Sequence, residues 1–269
     1  EAACTAAEVG CNTFLLEKGN ELGGLASLIS KIPAKNRLAD FPHYLMHRAE
    51  QLDNLYIFKN TEGTPENIRK FHPNIIVSST GSAPLLPPIA GLKDRIDNEN
   101  HNIYSILGMI SHINDFPKDL EGKKVVVVGG GAVGLDVVEF FADRNADISI
   151  VEMMDQIGRD LDPVSKNDTK TMMKKHNVHQ LTKTALLEVK DSSFLVRGDG
   201  EPYELPFEYG FVCLGMRAQG QLYQNLTEEF SSEDVEIMNI GDSQRARRII
   251  DGTQEGRNIL TVLEQKGYL

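Results

Sequence analysis

Cysteine is scarce: Cys4, Cys11 and Cys213 are the three thiols in 269 residues, and they form no CxxC pair and no zinc-type spacing. That excludes the disulfide-exchange centre of a flavoprotein disulfide reductase. A sparse, odd thiol count fits a reducing compartment, the cytoplasm. Long apolar runs are also missing, none approaching the ~18 residues that cross a bilayer. Basic residues are outnumbered 28 to 39 by acidic ones, a net charge of −11. Such a surface repels phosphates, so neither nucleic acid nor an anionic membrane is an expected partner. The first residues have no basic n-region and no uninterrupted apolar stretch, and are not expected to act as a signal peptide. There is no GxSxG elbow and no Walker A loop. His43 and His47 stand four apart, but no third ligand accompanies them, and they are read as surface histidines.

What remains is an ordinary globular balance, 41% hydrophobic and 25% charged, with length enough for one or two domains. Its sharpest feature is "KKVVVVGGGAVGLDVVEFF" from Lys123. Gly129-x-Gly131-x-x-Gly134 alone would be a weak pattern. Here it follows a four-valine strand, Val125–Val128, and opens a helix whose Val133, Val137, Val138 and Phe141 share a face. An acidic strand end, Glu152, comes 18 residues after the last glycine. In that setting the three glycines serve different ends. Gly129 permits the tight turn, Gly131 the close approach of a pyrophosphate, and Gly134 close helix–strand packing. The helix N-terminus offers free N–H groups to the phosphates, and Glu152 can accept hydrogen bonds from the adenosine ribose.

The chain contains an echo of this unit. "AACTAAEVG" passes through a polar turn into "TFLLE", ending at Glu17, as "VVEFFADRN" passes into "DISIVE", ending at Glu152. The offset is 152 − 17 = 135, which puts the counterparts of Gly129, Gly131 and Gly134 at −6, −4 and −1. The expectation is a first unit truncated at its N-terminus, its strand and phosphate turn preceding Glu1 in a longer polypeptide. Glu17 would hold a second ribose; a solvated carboxylate beside Lys18 is the alternative. Gly23–Gly24 fits either close approach of a ligand or a simple turn.

Between the two units, helical spacing from about Arg37 leads to a buried strand at Ile75–Val77 and the turn "SSTG". Pro84, Pro87 and Pro88 then make a stiff connection resembling a domain crossing. Beyond Glu152 a helix near "SKNDTKTMMKKH" precedes strands "TALLEV", "SFLVRG" and "PYELPF". "NIGDS" places Asp242 after a short apolar strand, as a polyol acceptor or a helix N-cap, before a final helix near residues 247–264.

Taken with "LLEKGNELGG", "IPAK", "SSTGSAP", "CLG" and "GDSQRARRIIDGTQEG", these features give a family likeness over essentially the whole chain. It resembles the C-terminal, two-nucleotide-domain half of the NADH:flavin oxidoreductases built on an old-yellow-enzyme barrel, the group of 2,4-dienoyl-CoA reductase, enoate reductase and trimethylamine dehydrogenase. The resemblance implies an α/β fold of two Rossmann-like dinucleotide-binding domains, one inserted in the other. The FAD-type domain would be 1–102 plus 220–269, and the NAD(P)-binding domain 103–219. It implies an FAD site at Glu17, Lys18, Gly23, Gly24, Leu25, Lys35, Thr80, Gly81, Asp242, Arg248 and Ile249. It implies an NAD site at Gly129, Gly131, Val133, Gly134, Glu152 and Gly215. The implied enzyme passes hydride from NADH to FAD and electrons onward to an iron–sulfur cluster and FMN in a missing barrel domain, which would choose the final substrate. Two alternatives stay open: a non-catalytic, ADP-holding module, and a stand-alone FAD-dependent NADH oxidase or ferredoxin-type reductase.

Overall fold

Alternating strands and helices fold into two compact units in a computed structural model that covers residues 1–269. Unit 1 comprises Glu1–Ser30, Asn36–Ala83 and Met216–Leu269; unit 2 comprises Lys31–Lys35 and Pro84–Gly215. In chain order unit 1 begins with α1 (Ala2–Glu8), β1 (Thr13–Leu16), α2 (Gly24–Ile29), α3 (Asp40–Ala49), β2 (Leu55–Phe58), α4 (Pro65–Arg69) and β3 (Ile75–Ser78). After the crossing strand β4 (Ser82–Pro84), unit 2 holds α5 (Leu92–Arg95), β5 (Ile103–Tyr104), α6 (Ile106–Ser111), β6 (Lys124–Val128), α7 (Ala132–Ala142), β7 (Asp147–Val151) and α8 (Pro163–Lys175). It continues with β8 (His179–Leu181), β9 (Ala185–Val189), β10 (Ser193–Arg197), β11 (Tyr203–Pro206) and β12 (Tyr209–Val212). The returning strand β13 (Met216–Ala218) leads back to α9 (Gln221–Glu229), β14 (Glu236–Asn239), α10 (Ile249–Arg257) and α11 (Ile259–Gln265).

Unit 2 is built on a five-stranded parallel sheet, order β5-β12-β6-β7-β8. A strand at the centre of such a sheet is covered on both faces and reads as a continuous apolar run. The valines of β6 meet that requirement and are at most 3% exposed. Val137, Val138 and Phe141 of α7 are fully buried. Phe141 packs on Phe211 of β12 at 4.8 Å and edge-on to Phe116 at 5.1 Å. The three strands read after Glu152 form an antiparallel meander, β11-β10-β9, whose Phe194 and Val196 join Val126, Val128 and Val212 in one core. Helix α8 starts where Asp162 accepts the N–H groups of Val164 and Ser165, with Pro163 at its first position.

Unit 1 is parallel too, but its four main strands form two separate pairs, β1 with β2 and β3 with β14. Helix α1 reaches both. Its Cys4 and Ala7 cluster with Leu55 and the half-buried Leu15 and Ile57. Its Ala6 clusters with Ile259, Leu263, Ile75, Val77 and Met238. The other face of the β3–β14 pair is covered by Ile68, Leu226 and Phe230.

Two boundaries differ from the expectation. The units divide at Ala83/Pro84 and Gly215/Met216 rather than at 102/103 and 219/220. The reason is packing: Leu92 and Ile96 of the intervening segment lie in the same core as Ile103 and Phe194. The proline cluster therefore marks the crossing itself. The last helix is two helices, α10 and α11, meeting at Asn258.

Candidate functional site

In unit 2 the glycine turn Gly129–Gly131 grows directly out of β6. Gly129 has φ +109°, and a Cβ added there would stand 2.1 Å from the Cys213 carbonyl oxygen. A Cβ on Gly134 would lie 1.9 Å from the Gly129 carbonyl oxygen. Both glycines are therefore demanded by packing. Gly131 is different: no atom lies within 4 Å of an added Cβ. It is the N-cap of α7, so the first-turn N–H groups around Ala132 and the half-buried Val133 have no helical acceptor. Open backbone at a helix N-terminus is what a pyrophosphate needs for close approach, so the residues present fit a dinucleotide.

Glu152 leaves β7 with both carboxylate oxygens already oriented. Oε2 accepts the Gly130 N–H at 2.6 Å, and Oε1 accepts the Met154 N–H at 2.7 Å. Each oxygen keeps a second lone pair for a ribose hydroxyl. Gly130, unassigned from the sequence, belongs to this arrangement, since a Cβ there would stand 3.0 Å from Glu152 Oε2. The middle glycine of the GGG run was the signal. Gly215, φ +97°, is open to solvent, while the neighbouring Cys213 thiol is buried and pushed up to about 12 by desolvation. It is no nucleophile.

Asp136, also missed by the sequence reading, sits on α7 five residues beyond Gly131. Lys35, assigned by resemblance to the FAD site, lies in the short segment that packs with unit 2. Its Nζ is 3.0 Å from Asp136 and 3.3 Å from Glu139. Burial pushes the Asp136 carboxyl above its ordinary range, against the pull of Lys35. Burial also works against the Lys35 charge, but its two carboxylate partners hold its pKa above the usual value. Nothing in the spacing of "IPAK" points to α7; only the fold pairs them.

In unit 1, Glu17, Thr80 and Asp242 each follow the carboxyl end of a strand, β1, β3 and β14 respectively. Glu17 accepts the Gly19 N–H at 2.6 Å, and Lys18 pairs with Glu62 at the surface. Gly23, φ +102°, caps α2, and a Cβ there would collide with Ser27 Oγ, so its glycine serves the turn. Gly24 and Gly81 have positive φ and open space, and Leu25 is in the first turn of α2. Thr80 Oγ1 donates to the Gln219 carbonyl at 2.5 Å. Asp242 accepts from Ser82 Oγ at 3.1 Å and from the Arg247 N–H at 3.0 Å. It does not cap α10. Arg248 is the N-cap there, its N–H taken by Asp251, with Ile249 46% exposed beside it. These residues present a strand-end carboxylate and open backbone, groups that can receive a flavin dinucleotide. They contain no glycine turn for its pyrophosphate, so the FAD fit is partial. His47 lies at the surface beside Gln51, and no cluster of metal-ligating side chains forms.

The family model for pyridine nucleotide-disulphide oxidoreductases matches residues 44–238. An NADH oxidase from Thermoanaerobacter brockii is 26% identical across 95% of this chain and 38% of its own length. A bilirubin reductase from Mediterraneibacter gnavus is 26% identical across 98% of this chain and 39% of its own. The solved structure of a 2-naphthoyl-CoA reductase superposes with a TM-score of 0.80 at 22% identity, covering 96% of this chain and 37% of the other. The chain thus spans about two fifths of the length of these larger proteins. No helix is long and apolar enough to cross a membrane. Matched over most of its length, and carrying the glycine turn and strand-end carboxylate of a dinucleotide site, the chain belongs to the pyridine nucleotide-disulphide oxidoreductase family.

Proposed function

We propose that this chain is the electron-entry part of a larger flavin-dependent NADH oxidoreductase, with NADH held by unit 2 and FAD by unit 1. The observation that carries the reading is Gly131, open to a ligand between two glycines that packing demands. Likeness to an NADH oxidase along 95% of the chain supports it. When bound, the nicotinamide supplies a hydride and the flavin accepts it; an iron–sulfur cluster and FMN, the onward carriers, would belong to a barrel domain outside these residues. The chain's own part is binding and orientation. The α7 N-terminus would hold the pyrophosphate and Glu152 the adenosine ribose, while Glu17 and Asp242 would hold polyol hydroxyls of the flavin nucleotide. The Lys35–Asp136 pair fixes the 31–35 segment against the nucleotide-binding helix.

The test uses the longer parent polypeptide loaded with FAD under anaerobic conditions. NADH should bleach the flavin absorbance, and Gly131→Asp should abolish bleaching without releasing the flavin. Retained FAD that NADH never reduces, with ADP binding tightly to unit 1, would establish a nucleotide-holding module instead.

A further inference from the structure

Peroxides attack the sulfur of a protein at its thiolates and its accessible thioethers. The thiols of this chain are poor targets. Cys4 and Cys213 are buried, and burial pushes all three cysteine thiols above their ordinary range, so little thiolate forms near neutrality. The thioethers are distributed differently. Of the eight methionines, Met109 and Met173 are buried, and Met46, Met172, Met216 and Met238 are half-buried. Met153 and Met154 are the exposed pair, at 69% and 40%. They are neighbours in sequence, and they directly follow Glu152.

The backbone that carries these thioethers is pinned on both sides. The Glu152 N–H donates to the Leu181 carbonyl, the Thr184 N–H to the Glu152 carbonyl and the Lys183 N–H to the Met154 carbonyl, each at 2.9 Å. On the other side the Met154 N–H is the donor that orients Glu152 Oε1, while the Gly130 N–H holds Oε2. Carboxylate and methionine backbone are thus one fixed piece of structure, with both thioethers in solvent within two residues of Glu152. The loop cannot move away to relieve a change in those side chains without giving up the bonds that position the carboxylate.

Resting on the proposed function, which takes Glu152 as the ribose ligand, we infer that Met153 and Met154 form an oxidation site whose conversion to sulfoxide lowers dinucleotide affinity. The oxidant is a hydroperoxide, hydrogen peroxide in the simplest case. The thioether sulfur gives an electron pair to one peroxide oxygen, the O–O bond breaks, and the second oxygen leaves as water with both protons. Sulfur is oxidised by two electrons, peroxide is reduced by two, and the side chain stays uncharged. What changes is polarity: a flexible apolar group becomes one that carries a strong acceptor oxygen. Glu152, when ionised, is itself acceptor-only. A further acceptor beside it competes for the ribose hydroxyl donors, and the base next to the ribose loses apolar surface to rest on.

The test treats the full 269-residue chain with hydrogen peroxide, follows each methionine by peptide mass spectrometry, and titrates NADH by calorimetry before treatment and after the peroxide is removed. Met153 and Met154 should oxidise about tenfold or more faster than the buried Met109 and Met173. The Kd for NADH should rise by about fivefold or more, with the thermal melt unaltered. Methionine sulfoxide reductases acting on both sulfoxide epimers should restore the Kd. A Met153→Leu/Met154→Leu chain should keep its own starting Kd through the same treatment. Oxidation of the buried methionines at an equal rate would overturn the site. So would sulfoxides at 153 and 154 with an unchanged Kd, or an equal loss of affinity in the leucine chain. An untreated chain that binds no NADH would overturn the proposed function together with the site, whereas NADH binding that survives oxidation would overturn the oxidation site alone.

Discussion

Gly131 and Gly129 are two residues apart, yet the structure assigns them opposite responses to substitution. At Gly129 a side chain combines φ +109° with a Cβ only 2.1 Å from the Cys213 carbonyl oxygen. Left-handed backbone costs an L residue about 1–2 kcal/mol, and the carbonyl must move as well. A loss of about 3 kcal/mol for Gly129→Ala follows, or roughly 6–12 °C in Tm for a chain of this size. Gly131→Asp should spare the fold. Its φ of −80° and ψ of −178° suit any residue, the space is open, and aspartate is a preferred N-cap. What it should destroy is affinity. A carboxylate about 4 Å from a phosphate charge costs about 4 kcal/mol at an effective dielectric near 20, close to a thousandfold in Kd. Thermal melts paired with NADH titration by calorimetry check both halves. NADH binding by the Gly131→Asp chain at unaltered affinity would refute the placement of the pyrophosphate. Identical melting of the Gly129→Ala chain would refute the packing argument.

Three further outcomes are expected. Glu152 should favour NADH over NADPH by roughly ten- to hundredfold, since a 2′-phosphate forfeits about 1.5–3 kcal/mol of hydrogen bonding to a charged group; Glu152→Ala should erase that preference in paired titrations. Arg48 hydrogen-bonds Glu8 and holds its carboxyl below the ordinary 4.5, so the stability it contributes is present above that value and is lost as pH falls through the lower folded value. The Tm gap between the native chain and Arg48→Met should therefore be widest near neutrality and close on acidification. Cys213, raised to about 12 by burial, and the buried Cys4 should resist a disulfide thiol reagent at mildly alkaline pH until guanidinium unfolds the chain, when all three thiols should titrate.

How much of this was legible in the sequence depends on how local each signal is. The run Val125–Val128, the glycine spacing and the acid at Glu152 lie within one strand–turn–helix–strand unit, and period, turn chemistry and burial agree there. The same locality made the echo at Glu17 visible, along with the meander after Glu152 and the crossing at Pro84. Other features depended on contacts distant in sequence. Lys35 finds Asp136 about a hundred residues away, and the segment 84–102 joins unit 2 because Leu92 and Ile96 fill its core. Gly23 and Gly131 look alike on paper, and only their surroundings distinguish a glycine packed into its own turn from one with open space around it. The sequence by itself determined the repeating α/β units and the chemistry of the strand ends, because backbone propensity and alternation act over a few residues. The tertiary structure decided which of those ends are packed, paired or open, because that depends on side chains brought together by the chain's return.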